Sequence, residues 1–478
     1  MSNTAPRSTT ADTPINHLSF SHLVAVTTMV LGVALVITAS IANLNILGEA
    51  NMQRAAGIIV FSLGLWATGV VPEFFTSLVF LFLCAVFAIA PPGVIFSGFQ
   101  ASAMWLVFGG LVIGLAVHET GLAKRLVHAM VAYIPANYFG ILASVIAAGG
   151  VLAFVIPSAL SRAVLITPIA MELAARLGFA EGSKGRTGIV LAAGMGTTLP
   201  AFAILPSNVP NLVLSASAES LFNIHFEYGH YLALNFPVLG VFSMLATLGL
   251  NWLFFREAPT RDGAPSQSGG VTGNERKLAV ILMITVALWA TDFIHGVSPA
   301  WVAMGAALLC AAPGVGVLKT QDLVKKINYA PWLFVAGVVG LGAVASHSGL
   351  GATLGKGLLA LTGQNIGGGL AGFSTLVAVG MSVAFATTLP AVPAIMTPLA
   401  TTLSSATGWP IDTVLMAQVP TWVLIPLPYL APPILVTLSM AGITARRAAP
   451  LMIVYFILGV VIALPLHFYW ARYLGVFM

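Results

Sequence analysis

Apolar runs long enough to cross a bilayer recur from about residue 22 to about residue 471, and one long polar stretch, 256–277, interrupts them. A spanning helix needs about 20 mostly apolar residues. Eleven candidate spans lie near 22–43, 56–71, 74–91, 102–120, 187–217, 231–255, 278–294, 299–316, 332–348, 413–441 and 450–471. Two longer stretches, 139–178 and 370–405, read as re-entrant hairpins that enter and leave the bilayer on one side. The expected fold is an all-α polytopic membrane protein. Composition agrees: only 7% of residues are charged, against about 25% in a soluble domain. So few charges cannot cover a soluble surface of this size. A soluble enzyme, a nucleic-acid binder and a disordered chain are excluded. Cys84 and Cys310 lie in apolar runs and offer neither metal spacing nor a disulfide framework.

The chain divides into a polar N-terminal tail (1–20), a first half (21–255), the 256–277 loop and a second half (278–478). No signal peptide is evident in the tail, which lacks a basic start and a small-residue cleavage site. Counting each hairpin as non-crossing puts fifteen of the 19 Lys and Arg on the side of the N-terminus and of the 256–277 loop. Arg54, Lys356 and Arg472 fall on the other side. The positive-inside rule makes the first side cytoplasmic. One basic residue, Arg162, is left inside a hairpin.

The halves resemble each other. WLVFGGLVIGLAVHETGL (105–122) is similar to WLFVAGVVGLGAVASHSGL (332–350), and the hairpin sequence 154–178 is similar to 385–408. The proline-rich segment 196–214 is similar to 420–438. The order is span, hairpin, broken span in both copies, and the copies enter from opposite sides. Inverted repeats with discontinuous helices mark secondary transporters, with the substrate near the midplane.

Gly 48 and Pro 28 are more helix breakers than a lipid-facing bundle needs, and many sit at four places. The first hairpin tip is Pro157-Ser158-Ala159-Leu160-Ser161, and the second is Thr387-Thr388-Leu389-Pro390. The first broken span carries Gly196, Thr197, Pro200, Pro206, Ser207, Asn208, Pro210 and Asn211; the second carries Pro420, Pro426, Pro428, Pro432 and Pro433. Proline ends helical hydrogen bonding, and broken backbone at membrane depth must face protein or a watery cavity. The helix start after each tip has unpaired N–H groups suited to an anion. Ser158, Ser161, Thr387 and Thr388 sit there as substrate ligands or as plain caps. Arg162 is costly in a membrane and marks a functional site: a guanidinium binds carboxylate, sulfate or sulfonate through two parallel bonds. Its other readings are a structural pair with an acid such as Glu172, or a snorkelling side chain. Asn211 joins this anion set. Gly196, Thr197, Ser207, Asn208 and Pro426 form a candidate oxygen-rich cation site, with Asx turns as the structural alternative. Glu172 is either a titrating acid or the partner of Arg162, while Glu119 and His118 look interfacial.

From about 20 to 475 the chain resembles the divalent anion:sodium symporter (DASS) family, the dicarboxylate, citrate and sulfate permeases of the ion-transporter superfamily. The hairpin tips, counted back from Thr167-Pro168 and Thr397-Pro398, carry the likeness. So do Asn208-Val209-Pro210-Asn211, Leu430-Ala431-Pro432-Pro433 and Pro426-Leu427-Pro428-Tyr429. The chain departs from the family's Ser-Asn-Thr tips: Ala159 and Leu389 replace the asparagines, and Leu160 and Pro390 the threonines. In the family those motifs bind carboxylate and help form sodium sites. Arg162 stands where small or hydroxylated residues are usual, and a fixed positive charge there replaces either the lost amides or a cotransported cation. The resemblance implies a scaffold of spans 1–4 and 7–9 that dimerises, and an elevator of the hairpins with spans 5, 6, 10 and 11.

The expected function is secondary transport of a small anion, with no cofactor beyond Na⁺ or H⁺ as a coupling ion. A bacterial inner membrane and a cytoplasmic N-terminus are expected. The alternatives are an arsenite or Na⁺/H⁺ antiporter of the same superfamily, an exchanger or uniporter without sodium coupling, and a channel lined by the hairpins. A membrane enzyme would need clustered His, Asp and Glu, and the 9 His residues are scattered.

Overall fold

Helices formed by the expected apolar runs pack around small residues. The computed structural model describes residues 20–40, 49–131, 137–260, 270–362 and 366–477. Residues 1–19 of the polar tail and 261–269 of the long loop lie outside the described residues. The described residues are helical, with no strand among them, and six helices are long and apolar enough to span a bilayer. Every expected span coincides with a helix or a broken helix. The 102–120 span is the helix Ser102–Thr120, and 332–348 is Ala330–His347. The second span starts earlier than its hydropathy suggests, at Ala50 rather than near 56. Its polar first turns are satisfied by neighbours: Asn51 donates to Ile89 O at 2.9 Å and buried Gln53 to Thr38 Oγ1 at 2.8 Å.

Two helices were not anticipated, Leu122–Val131 and Leu350–Thr362. Each follows one of the two similar Trp-to-Gly spans, so the repeat extends through them. Both mix apolar and polar residues, a pattern that reads as loop when only continuous apolar runs are sought. The sixth and eleventh spans share another detail. Each is a long helix with one π-helical turn, at Phe236–Gly240 and at Gly459–Ala463. Such turns insert an extra residue and cluster at functional sites.

Both expected hairpins are pairs of helices joined by a short link. The first pairs Tyr138–Val155 with Ala159–Arg176 across residues 156–158. At 1.5 Å per residue, each 18-residue arm is about 27 Å long. The second pairs Leu370–Ala386 with Ala391–Met396, which continues as a 3₁₀ turn, Thr397–Leu399, and the helix Ala400–Thr407. The interruption falls at Pro398, which lacks an N–H.

Arg125, beside the long loop, and Lys326 are each paired with a carboxylate. Arg125 Nε lies 2.9 Å from Glu275 Oε1, and its Nη2 donates to Gly270 O at 2.8 Å. Glu275 also closes a capping box with Thr272 at the start of the Gly273–Ala290 helix. The hydrogen bond from Arg125 holds the Glu275 carboxyl below its ordinary range. Lys326 Nζ lies 2.7 Å from Glu119 Oε2, which raises the lysine above its ordinary value.

Candidate functional site

The first broken span leaves helical geometry after Thr198. It runs through 3₁₀ turns at Pro200–Ala203 and Leu205–Ser207, then resumes as Val209–Phe222. Pro200, Pro206 and Pro210 impose this course, because none can donate a helical hydrogen bond. The second break follows the same logic: short helices at Ile411–Met416 and Pro420–Val423, a 3₁₀ turn at Pro428–Leu430, then Pro432–Met440.

Each helix pair lies on the break of its own half through a glycine. A Cβ on Gly149 would come within 2.8 Å of Gly196 C and Thr197 N, and one on Gly196 within 2.9 Å of Ile146 Cα. In the second half, a Cβ on Gly380 would lie 2.6 Å from Thr421 Oγ1. Only glycine permits this approach, so Gly196 serves first as a packing surface. Thr197 Oγ1 donates to Gly149 O at 3.4 Å, and Ser207 Oγ donates to Ala153 O. The first tip is thereby seated on the first break.

Arg162 is fully buried at that seat. Its Nε donates to Thr197 O at 3.2 Å, and its Nη1 donates to Ser207 O at 3.1 Å and to Ile156 O. Nη2 has no partner among the described residues. The side chain therefore does not snorkel. Nor does it pair with Glu172, which is exposed and bonds Arg176 four residues on. Glu119 and His118 are at the end of their span, where Glu119 holds Lys326.

Ser158 and Ser161 remain at the outer edge of the tip. Ser158 caps the Ala159–Arg176 helix by accepting from Ser161 N at 3.3 Å, and the two hydroxyls meet at 3.0 Å. Thr387 Oγ1 donates to Val383 O at 2.7 Å, while Thr388 Oγ1 is buried without a partner among the described residues. Asn208 turns into its own break. With its nitrogen toward Ser207 O (3.1 Å) and its oxygen toward Phe202 N (3.2 Å), both ends are satisfied. Asn211 donates to Ile204 O at 2.9 Å and accepts from Trp422 Nε1 at 2.9 Å, which ties the two breaks together. Pro426 is buried in the extended part of the second break.

Two tyrosines complete the arrangement and were missed in the sequence. Tyr231 Oη donates to Phe202 O at 3.0 Å, and Tyr455 Oη donates to Val423 O at 3.2 Å. They stand at the same chain spacing as Thr197 and Thr421, one in each π-turn-bearing span, so each half carries its own hydroxyl prop for its own break. That shared offset was the available signal. Thr167 Oγ1 donates to Thr437 Oγ1 at 3.1 Å, joining the first helix pair to the far side of the second break.

The citrate transporter family profile matches residues 63–423, about three quarters of the chain. This chain belongs to the citrate transporter family. It stands with the DASS-type transporters that its sequence resembles, and it is a transport protein rather than an enzyme. A membrane protein of Cupriavidus necator is 24% identical over 351 residues, covering 68% of each chain. The sodium-dependent dicarboxylate transporter SdcS of Staphylococcus aureus is 22% identical over 333 residues, 62% of this chain and 63% of that one. The chain thus matches less than two thirds of the length of SdcS. Among solved structures, the YdaH transporter of Alcanivorax borkumensis shares the fold at a TM-score of 0.53 and 15% identity, over 83% of this chain and 89% of that one. These likenesses and the six apolar helices make the chain an integral membrane protein.

Proposed function

We propose that this citrate-transporter-family chain is a secondary transporter of a small anion, such as a dicarboxylate, a related organic acid, sulfate or a sulfonate. The anion sits at the first tip, where Ser158 and Ser161 present hydroxyls beside the N-terminus of the Ala159–Arg176 helix. Thr387 and Thr388 supply the matching face, Arg162 supplies positive charge behind the tip, and Asn211 frames the floor. The helix pairs move with spans 5, 6, 10 and 11 as an elevator against the remaining spans, in a homodimer in the inner membrane with the N-terminus inside.

One observation carries the reading: each helix pair is seated on the unwound span of its own half, and the two unwound spans are bonded to each other through Asn211 and Trp422. Helix ends and broken backbone gathered in one unit support an anion site there. A mobile coupling cation at Gly196, Thr197, Ser207, Asn208 and Pro426 is the alternative reading of this first break. A sodium-independent exchanger or uniporter is favoured by one feature, the use of the Thr197 and Ser207 carbonyls by Arg162.

Uptake into proteoliposomes tests the function. A panel of citrate, succinate, monocarboxylates, sulfate and sulfonates is offered with and without Na⁺ and a proton gradient. Saturable accumulation of at least one anion is expected. If no anion is taken up by protein that remains folded, the reading is wrong.

A further inference from the structure

We infer that the Arg162 guanidinium is a tethered cation that fills a carbonyl cage at the first break, so that this site takes no mobile sodium ion. The inference deepens the transport reading above and rests on it for its consequence in the cycle.

Three backbone oxygens converge on the guanidinium, and they come from three separate points of broken backbone. Ile156 O belongs to the residue before Pro157, at the tip. Thr197 O lies at the end of the first half of the broken span. Ser207 O lies at the end of the last 3₁₀ turn. A continuing helix would pair each of these carbonyls internally; the prolines remove that option. Oxygens freed in this way and gathered at one place are what a hard monovalent cation binds at an unwound helix.

Here the positive charge is already present. Arg162 is fully buried, and no carboxylate forms an ion pair with it among the described residues. A buried charge without a counter-ion is costly unless dipoles replace its hydration. The three carbonyls supply those dipoles and account for Nε and Nη1. An anion clamp would leave the guanidinium edge free toward the substrate. Instead two of its three nitrogens face the backbone cage, and only Nη2 remains. The second half differs: on the alignment of Thr167-Pro168 with Thr397-Pro398, Val392 stands at the place of Arg162. The substitution of charge for ion is therefore a property of the first half alone.

The consequence is one fewer mobile cation per cycle. Removal of the charge should empty the cage and let sodium enter. Wild type, Arg162→Ala, Arg162→Gln and Arg162→Lys are compared in two readouts. The first is the thermal unfolding midpoint of purified protein in NaCl against choline chloride. The second is anion uptake in the same two salts. Arg162→Ala and Arg162→Gln should gain a sodium-dependent rise in midpoint beyond that of wild type, since a ligand bound only to the folded state stabilises it. Their ratio of uptake in sodium to uptake in choline should exceed the wild-type ratio by about 10-fold, a typical coupling between two ligands. Arg162→Lys should behave as wild type. Any sodium taken in the second half appears equally in all four proteins and cancels. If neither uncharged variant responds to sodium more than wild type in either readout, the inference is overturned. The midpoint needs no substrate, so it decides the point even if no anion is transported, which would overturn only the transport reading. Gln keeps a donor for the cage and guards against collapse of the Ala variant.

Discussion

Trp422 donates its indole N–H to Asn211 Oδ1 at 2.9 Å, and Asn211 passes the bond on to Ile204 O at 2.9 Å. One side-chain pair thus couples the broken span of the first half to that of the second. Both residues are fully buried, so loss of either partner strands a polar group with no water to replace it. Asn211→Ala is expected to cost about 1–3 kcal/mol, the penalty for an unsatisfied buried donor and acceptor. Trp422→Phe, which keeps the ring and removes the N–H, should cost the same amount or less. Thermal unfolding in detergent checks both, and uptake should fall in step. An Asn211→Ala protein with wild-type midpoint and wild-type uptake would show that the breaks are held apart from this bond.

Tyr231 and Tyr455 are expected to act as a matched pair. Each donates a buried hydroxyl to a carbonyl that its break leaves unpaired. Tyr231→Phe and Tyr455→Phe should each lower stability by about 1 kcal/mol, the usual net value of such a bond. Tyr455→Phe should be the more damaging, because Tyr455 Oη also lies 2.8 Å from Ser243 Oγ, which would keep only its bond to Leu239 O. The two substitutions touch different breaks, so their effects should add in a double mutant. The three melting curves settle this directly.

The positions of the helices were largely legible in the sequence, because apolar runs and prolines act locally. Pro157, Pro200, Pro206 and Pro432 each mark a real interruption, and the tip after Ile156 lies where Pro157 places it. The seating of the tip was not legible. It depends on Gly149 meeting Gly196 across two helices, and nothing in either neighbourhood announces that partnership. The direction of Arg162 was likewise hidden. An arginine beside a tip suits an outward anion clamp and an inward cage equally well, and only the carbonyls of Thr197 and Ser207 decide between them. The Leu122–Val131 helix escaped notice because its Lys124 and Arg125 read as loop.

Acid should weaken one contact near the long loop. The bond from Arg125 lowers the Glu275 carboxyl below its ordinary value, so the group favours folding while ionised. That contribution is fully present above the ordinary carboxylate pKa of about 4.3 and is lost as pH falls through the lowered value. Glu275→Gln removes it at every pH. The difference in unfolding midpoint between wild type and Glu275→Gln should therefore be constant from neutral pH down to about pH 5 and shrink below that. A difference that grew on acidification would contradict the assignment.

The tip hydroxyls give a direct test of where the anion binds. Ser158 and Ser161 bond each other at the start of their helix, so a single Ser161→Ala leaves the Ser158 cap on Ser161 N in place. Ser161→Ala is thus expected to raise KM for the transported anion while the unfolding midpoint stays within about 0.5 kcal/mol of wild type, as for a surface change. Ser158→Ala removes the cap and should cost about 1 kcal/mol in addition. Initial rates of uptake across a range of anion concentrations separate the two effects. A Ser161→Ala protein with unchanged KM would move the anion site away from the first tip.

Orientation is open to a chemical test at Val271, which is exposed in the 256–277 loop beside Gly270, the acceptor of the Arg125 bond. Its neighbourhood carries Arg276 and Lys277, and under the proposed orientation, argued from the bias of basic residues, that side is cytoplasmic. The native thiols, Cys84 and Cys310, are both buried and leave the background low. Val271→Cys should resist a membrane-impermeant maleimide added to intact cells and react once inside-out vesicles expose it. Tyr473, at the end of the last span, is exposed and lies beside Arg472, on the proposed sparsely basic side. Tyr473→Cys should show the opposite pattern. Labelling of Val271→Cys from outside would overturn the expected orientation, either because the N-terminus lies outside or because the first helix pair crosses and inverts every span after it. Labelling of both positions from the same side would mean that the second pair crosses, since five spans and that pair separate them, and the broken spans of the two copies would no longer be inverted.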